Sequence, residues 1–175
     1  GLGDVYKRQV WEYTIDTPAP ELYTYNFIVD GVSVNDPGNV MQQRDGTRYL
    51  SILLVPGEFT ENYFEANQRG NLTKVWYESP TLGLNRRMYV YTPYGYDDPK
   101  NAKTKYPVLY LMHGAGGDED AWSNMGRACQ IMDNLIAAGK AEEMIVVLPY
   151  GNPYKLLPVM PDLSKIPMTG FGKDV

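Results

Sequence analysis

The run of residues 113–117, His-Gly-Ala-Gly-Gly, is the part of the sequence whose residue types could carry out chemistry. It follows residues 108–112, a nearly continuous apolar stretch of the kind found in strands buried on both faces. Glycine lets a backbone approach a ligand closely and adopt positive φ. Backbone N–H groups in such a loop could stabilise an oxygen that gains negative charge during a reaction, by about 3 kcal/mol per donor. The run therefore predicts an oxyanion-stabilising loop.

Other glycine-rich or charged sites fit this segment less well. A dinucleotide-binding loop needs Gly-x-Gly-x-x-Gly and a P-loop needs Gly-Lys-Ser/Thr, and neither spacing occurs. His113 is the only histidine, so no two-histidine metal site can form. A plain strand-to-helix turn remains the alternative. The acidic residues Asp118, Glu119 and Asp120 could hold a metal, but a loop before a helix favours solvated capping charges.

Alternating elements surround this loop and would position it. Residues 73–79 and 87–92 predict an antiparallel hairpin, and residues 108–112 and 144–148 predict two buried strands. Between the buried strands, apolar residues from 125 to 136 recur at helical spacing, with Ser123 as a candidate N-cap and Gly139 as a candidate C-terminal stop. A strand, a helix and a strand in this order predict a βαβ unit and a parallel sheet.

Four segments together resemble the esterase group that contains feruloyl esterases, acetyl xylan esterases and mycolyltransferase-like proteins. They are residues 86–93, 106–114, Trp122 and residues 145–152. The resemblance implies an α/β-hydrolase fold in which Ala115 supplies the first N–H of the oxyanion hole. It also implies that His113, Gly114, Gly116 and Gly117 shape the loop. Trp122 becomes a candidate on the substrate side.

The catalytic triad of that group is not found in these residues. No Gly-x-Ser-x-Gly elbow occurs, and the triad order in this fold is serine, acid, then histidine. His113 precedes any elbow, so it is expected to hydrogen-bond locally rather than act as the base. We therefore expect the nucleophile, the acid and the histidine beyond Val175, with residues 70–175 as the truncated N-terminal part of the hydrolase domain.

Residues 10–69 read as a separate β module. Strand-like runs alternate with turns such as Asp30-Gly31, a pattern typical of a β-sandwich. Residues 23–31 and 36–39 resemble the early-set immunoglobulin-like module that precedes many such esterase domains. Strand alternation places Tyr23, Tyr25 and Phe27 on one face, either sandwich core or, with Trp11, a sugar-binding platform. Residues 1–9 resemble a translated sequencing adapter.

Composition narrows the function classes. Apolar residues make up 43% of the chain and the net charge is −5 with no basic block, which argues against nucleic acid and anionic membranes as partners. No run is long enough to span a bilayer. The single cysteine, Cys129, is expected to be a buried hydrophobe. No cofactor or metal is expected.

The expected function is a secreted or periplasmic serine carboxylic ester hydrolase. Its substrate would be an esterified polysaccharide of the feruloyl or acetyl xylan type. A non-catalytic glycan-binding or scaffold protein and a serine peptidase of the same fold remain alternatives. Residues 153–170 could form a substrate-side loop or an insert, and the sequence does not choose between them.

Overall fold

The computed structural model describes residues 12–58 and 60–153. Trp11, residues 1–9 and residues 154–175 lie outside the described residues, as do the expectations attached to them. No helix in the described part is long and apolar enough to cross a membrane.

The N-terminal region contains a three-stranded antiparallel sheet and a separate hairpin. The sheet has the order β1 (Leu22–Tyr25), β5 (Arg48–Leu54), β4 (Gln42–Asp45). The hairpin pairs β2 (Phe27–Val29) with β3 (Val32–Val34) through the predicted turn, where Asp30 and Gly31 both have positive φ. These strands are consistent with a β module, while the immunoglobulin-like sandwich stays a prediction.

The aromatic face of this region is only partly covered. Tyr23 and Tyr25 are half-buried, whereas Phe27 lies against the Tyr25 ring and is 47% exposed. Tyr25 donates a hydrogen bond to Asp36, which raises the pKa of the tyrosine. The interpretation of this face as closed core therefore holds for the two tyrosines better than for Phe27.

The second region is a four-stranded mixed sheet with the order β6 (Asn71–Ser79), β7 (Leu84–Thr92), β9 (Ile145–Pro149), β8 (Val108–Tyr110). Strands β6, β7 and β9 pair antiparallel, and β8 and β9 pair parallel. The predicted hairpin and βαβ unit are confirmed. However, β8 is exposed rather than buried, because within the described residues it pairs with β9 alone.

Two short helices replace the single predicted helix between β8 and β9. Helix α1 (Ala121–Asn124) and helix α2 (Ala128–Ala137) are separated at Arg127, whose left-handed backbone interrupts the helical path. Ser123 therefore lies inside α1 instead of capping a long helix. Gly139 ends α2 as predicted, with a positive φ and a hydrogen bond to the Ile136 carbonyl.

The core of this region lies between the sheet and α2. Tyr89, Tyr91, Val146 and Leu148 are buried there, and Cys129 and Met132 of α2 pack against them. Burial raises the pKa of the Cys129 thiol to about 11, which agrees with its expected role as a small hydrophobe.

A buried polar contact joins this core to the start of the sheet. The Tyr91 hydroxyl donates to Asp133 Oδ1 at 2.7 Å, and the Gly70 N–H donates to the same oxygen at 2.8 Å. Burial and this carboxylate raise the pKa of Tyr91 well above its ordinary value. The contact fixes α2 against β7 and against the segment that connects the two regions.

Candidate active site

The glycine-rich loop lies where the parallel pair β8 and β9 ends. Leu111 continues the pairing beyond β8, with its N–H bonded to the Val147 carbonyl at 2.9 Å, and the loop follows. In open α/β sheets, ligands bind outside the carboxyl ends of the strands. The loop is thus at the edge of the sheet where a substrate is expected.

His113 attaches the loop to the segment after β9. Its Nε2 accepts a hydrogen bond from the Gly151 N–H at 3.0 Å, so this nitrogen carries no proton. Its Nδ1 then donates to the Gly114 carbonyl at 2.7 Å. Both ring nitrogens are engaged, and the ring lies 5.7 Å from the Tyr150 ring. The geometry is that of a histidine that shapes the loop, not of a base free to take a proton from a nucleophile.

Positions 116 and 117 of the loop require glycine for different structural reasons. Gly116 has φ +81°, a conformation that L side chains rarely adopt, and the Gly117 N–H closes the turn onto the Gly114 carbonyl at 3.1 Å. A Cβ on Gly117 would lie 3.2 Å from the His113 ring. The tight turn therefore needs glycine at position 116 for its dihedral angle, and at position 117 a side chain would crowd the His113 ring.

Ala115, at the top of this turn, has an N–H group that makes no hydrogen bond within the described residues. Beside it is a cavity of about 260 Å³. The residues around the cavity come from the loop, from α1 and from the β4–β5 turn: Gly114, Ala115, Gly116, Gly117, Asp118, Ala121, Met125, Arg44, Asp45 and Gly46. An unbonded donor beside a cavity is what an oxyanion hole requires.

The acidic residues after the loop are ion-paired, so the interpretation as solvated capping charges is wrong. Glu119 is fully buried and accepts a hydrogen bond from Arg87 Nε of β7. Asp118 and Asp120 both pair with Arg44 of β4, at 2.6 Å and 3.3 Å. The described residues contain no group of three or more acidic, cysteine or histidine side chains that could hold a metal.

Trp122 lies close to the loop but serves a structural contact. Its indole N–H donates to the Met112 carbonyl at 2.7 Å, and the residue does not line the cavity beside Ala115. Trp122 remains 39% exposed, so a role on the substrate side stays a prediction.

Arg86, whose role the sequence did not indicate, supports the segment after β9 to which His113 is bonded. Its guanidinium is buried, donates to the carbonyls of Tyr150 and Asn152, and stacks on the Tyr150 ring at 4.5 Å. Burial raises the pKa of Tyr150 to about 12, although the Arg86 charge opposes the shift. The sequence did contain a signal for a buried arginine. Arg86 and Arg87 are consecutive in β7, and consecutive strand residues face opposite sides of the sheet, so the two arginines could not share one face.

Residues 79–157 match the family described as Putative esterase. The chain is also 38% identical over 149 residues to an endo-1,4-beta-xylanase/feruloyl esterase of Xylanibacter ruminicola. That match covers 83% of this chain and 20% of the relative. A second relative, endo-1,4-beta-xylanase Y of Acetivibrio thermocellus, is 40% identical over 88 residues, which are 49% of this chain and 7% of the relative.

Among solved structures, a feruloyl esterase module from Clostridium thermocellum in complex with sinapinate is 36% identical, with a TM-score of 0.47. The superposition covers 55% of this chain and 32% of that module. The chain thus spans a minor part of the relatives it matches. The sequence matches show that residues 79–157 are similar to the esterase family.

Proposed function

We propose that the whole protein containing these residues is a serine carboxylic ester hydrolase that acts on esterified xylan, of the feruloyl or acetyl type. The observation that carries the proposal is the Ala115 N–H, which has no hydrogen-bond partner among the described residues. It lies beside the cavity, on a glycine turn within the region matched to the esterase family. The relatives named xylanase and feruloyl esterase support the substrate class.

In this mechanism the Ala115 N–H would stabilise the oxyanion formed when the ester carbonyl becomes tetrahedral. A serine would attack that carbonyl and a histidine would take the serine proton, the acid holding the histidine in orientation. We place these three residues outside residues 1–175, because no Gly-x-Ser-x-Gly elbow occurs in the sequence and both nitrogens of His113 are already bonded. The second oxyanion donor would be the N–H of the residue after the nucleophile.

The test compares two variants of the whole protein. Ala115→Pro removes the N–H, and Ala115→Gly keeps it. With methyl ferulate and p-nitrophenyl acetate as substrates, we expect Ala115→Pro to lower kcat by about 10²–10³-fold, the usual effect of losing one oxyanion donor. Ala115→Gly should retain most activity. Thermal unfolding of both variants identifies a folding defect.

Three outcomes would contradict the proposal. One is a complete reading frame without a Gly-x-Ser-x-Gly elbow. Another is full activity in a correctly folded Ala115→Pro variant. The third is cleavage of peptide anilides rather than aryl esters, which would favour a serine peptidase of the same fold. Because polysaccharide substrates lie outside the cell, we also infer a secreted or periplasmic enzyme.

For residues 10–69 we propose an early-set immunoglobulin-like module with glycan binding as a second candidate function. One observation favours binding: Tyr13, Tyr25 and Phe27 line an open groove of about 930 Å³. Aromatic rings exposed along a groove can stack on sugar rings. Titration of the chain with xylan oligosaccharides, with and without Phe27→Ala, tests this. Absence of binding by the unsubstituted chain would leave the module without a glycan-binding role.

A further inference from the structure

Arg44 connects the N-terminal region to the loop that carries Ala115. It lies in β4, and one of its terminal nitrogens, Nη2, contacts both carboxylate oxygens of Asp118, at 2.6 Å and 2.7 Å. Its Nε and Nη2 also contact Asp120 Oδ2 at 3.3 Å. The three side chains are only 17–22% exposed, so water screens these contacts less than it would a surface pair.

The same side chain fixes its own turn. The other terminal nitrogen of Arg44, Nη1, donates to the Gly46 carbonyl at 2.9 Å. The backbone N–H of Arg44 donates to Asn124 Oδ1 of helix α1. Asp118 directly follows Gly117, and its Oδ1 accepts the Asp120 N–H at 3.0 Å. One residue of β4 therefore contacts the end of the glycine loop and the helix that follows it.

Residues 44–46, where β4 ends and the turn to β5 begins, also form one side of the cavity beside Ala115, and we call this segment the β4–β5 turn. Arg44, Asp45 and Gly46 face it from the N-terminal region, and residues 114–118 face it from the second region, within the residues that match the esterase family. A substrate that places its carbonyl oxygen at the Ala115 N–H would have part of its structure against this turn. The N-terminal region therefore lies beside the proposed reaction site at Ala115, and its contacts with the second region are not all remote from that site.

We propose that the β4–β5 turn is part of the ester-binding site and that Arg44 is a positioning residue, which holds the Ala115 loop in its active geometry through Asp118 and Asp120. The proposal rests on the proposed function and deepens it, because it gives the N-terminal region a role in the reaction itself. Oxyanion donors act only when they are fixed before the reaction, and a glycine turn does not supply that rigidity.

The two regions have a second attachment that does not involve Arg44. Arg127 Nε donates to the Tyr63 carbonyl at 2.6 Å, and Asn134 Nδ2 donates to the Phe64 carbonyl at 2.7 Å. Removing Arg44 should therefore loosen the loop without detaching the N-terminal region. This separation makes the role of Arg44 measurable apart from folding.

The first experiment measures hydrogen exchange in the chain itself and needs no enzymatic activity. The readout is exchange of the Gly117 and Asp120 amides, which are hydrogen-bonded within the loop. In Arg44→Ala we expect at least tenfold faster exchange there, with the amides of β7 unchanged. Arg48→Ala is the matched control, because Arg48 lies at the start of β5 in an exposed pair with Asp45. Exchange that is equally slow in Arg44→Ala and the unsubstituted chain would overturn the proposal.

The second experiment uses the whole protein with p-nitrophenyl acetate and methyl ferulate. We expect Arg44→Ala to lower kcat tenfold or more while KM for the small acetate changes less than threefold. Arg44→Lys should restore part of kcat, and Arg48→Ala should match the unsubstituted protein. A normal kcat in Arg44→Ala would overturn the positioning role even if exchange increases. A whole protein inactive on all esters would refute the proposed function, and the exchange result would still decide whether Arg44 holds the loop.

Discussion

Breaking the buried pair between Glu119 and Arg87 from its two ends should have unequal effects. Glu119 is fully buried; its Oε1 accepts from Arg87, and its Oε2 has no hydrogen-bond partner among the described residues. Arg87 keeps other favourable surroundings, because its guanidinium lies 5.5 Å from the Trp76 ring and 5.6 Å from the Tyr89 ring. It is also 23% exposed.

These surroundings set the expected magnitudes. Arg87→Ala would leave a dry carboxylate with no cation, and losing one partner of a buried pair costs about 3–5 kcal/mol in the free energy of unfolding. Glu119→Ala would leave a guanidinium that still has two aromatic faces, each worth about 0.5–1 kcal/mol, and some water. We expect this variant to lose about 2–3 kcal/mol. Replacing the pair by Met at 87 and Leu at 119 should come close to the unsubstituted stability, because apolar pairs often replace buried ion pairs without loss.

Urea unfolding of the 175-residue chain, followed by circular dichroism, measures these differences. For a chain of this size, 1 kcal/mol corresponds to a shift of roughly 2–4 °C in Tm, so thermal melts give an independent estimate. Arg48→Ala, which breaks an exposed pair, should change the free energy of unfolding by less than about 1 kcal/mol. Equal losses from Arg87→Ala and Glu119→Ala, or a larger loss from Glu119→Ala, would refute the reasoning that the carboxylate is the more dependent partner.

Two further predictions concern Gly70 and Tyr150. Gly70→Ala should destabilise the chain by about 2 kcal/mol or more, because the new Cβ would meet the backbone of β7. Gly114→Ala, where the new Cβ has open space, should cost less than about 0.5 kcal/mol. Comparable losses of the two variants in urea unfolding would contradict this prediction. Burial raises the pKa of Tyr150 from 10.0 to about 12. The stability that the protonated hydroxyl contributes is therefore fully present below pH 10 and is lost as the pH rises to 12. Tyr150→Phe should therefore make the decrease between pH 10 and pH 12 smaller by on the order of 2 kcal/mol, while the raised pKa values of Tyr91 and Cys129 leave the rest of the decrease in place. The variant should not destabilise at pH 7, because the buried hydroxyl has no partner among the described residues. The exposed Tyr49→Phe should show the full decrease, and a Tyr150→Phe variant that also shows the full decrease would contradict the prediction.

Local patterns were sufficient for part of the sheet in the second region. The alternation in β6 and β7 and the apolar runs of β8 and β9 around the glycine loop predicted the β6–β7 hairpin and the parallel β8–β9 pair. The antiparallel pairing of β7 with β9, which joins the two, was not predicted. The division of the helix was not predictable in this way. Apolar spacing continues through residues 125–136, and only the positive φ of Arg127, held by its bonds to Tyr63 and Glu65, interrupts it.

The charges of the site required long-range information. Arg44 and Asp118 are 74 residues apart, and Arg87 and Glu119 are 32 apart. In the sequence, an acidic run before a helix is indistinguishable from charges that face water. Only the packing of β4 and β7 around the loop gives each carboxylate a guanidinium. The same limit applies to Arg86, whose acceptors are backbone carbonyls that no sequence pattern marks.

The ion pairs around the loop and the glycines within it are related, because a flexible loop must be held in place from outside. A catalytic donor must be held within about 0.5 Å of its productive position, yet glycine has more conformational freedom to lose than any other residue. A turn built from Gly114, Gly116 and Gly117 therefore needs attachments outside itself. The structure supplies them from three directions: His113 to the segment after β9, Glu119 to β7, and Asp118 with Asp120 to β4. Because each attachment ends on a different element, losing one should loosen the loop while the sheet remains folded.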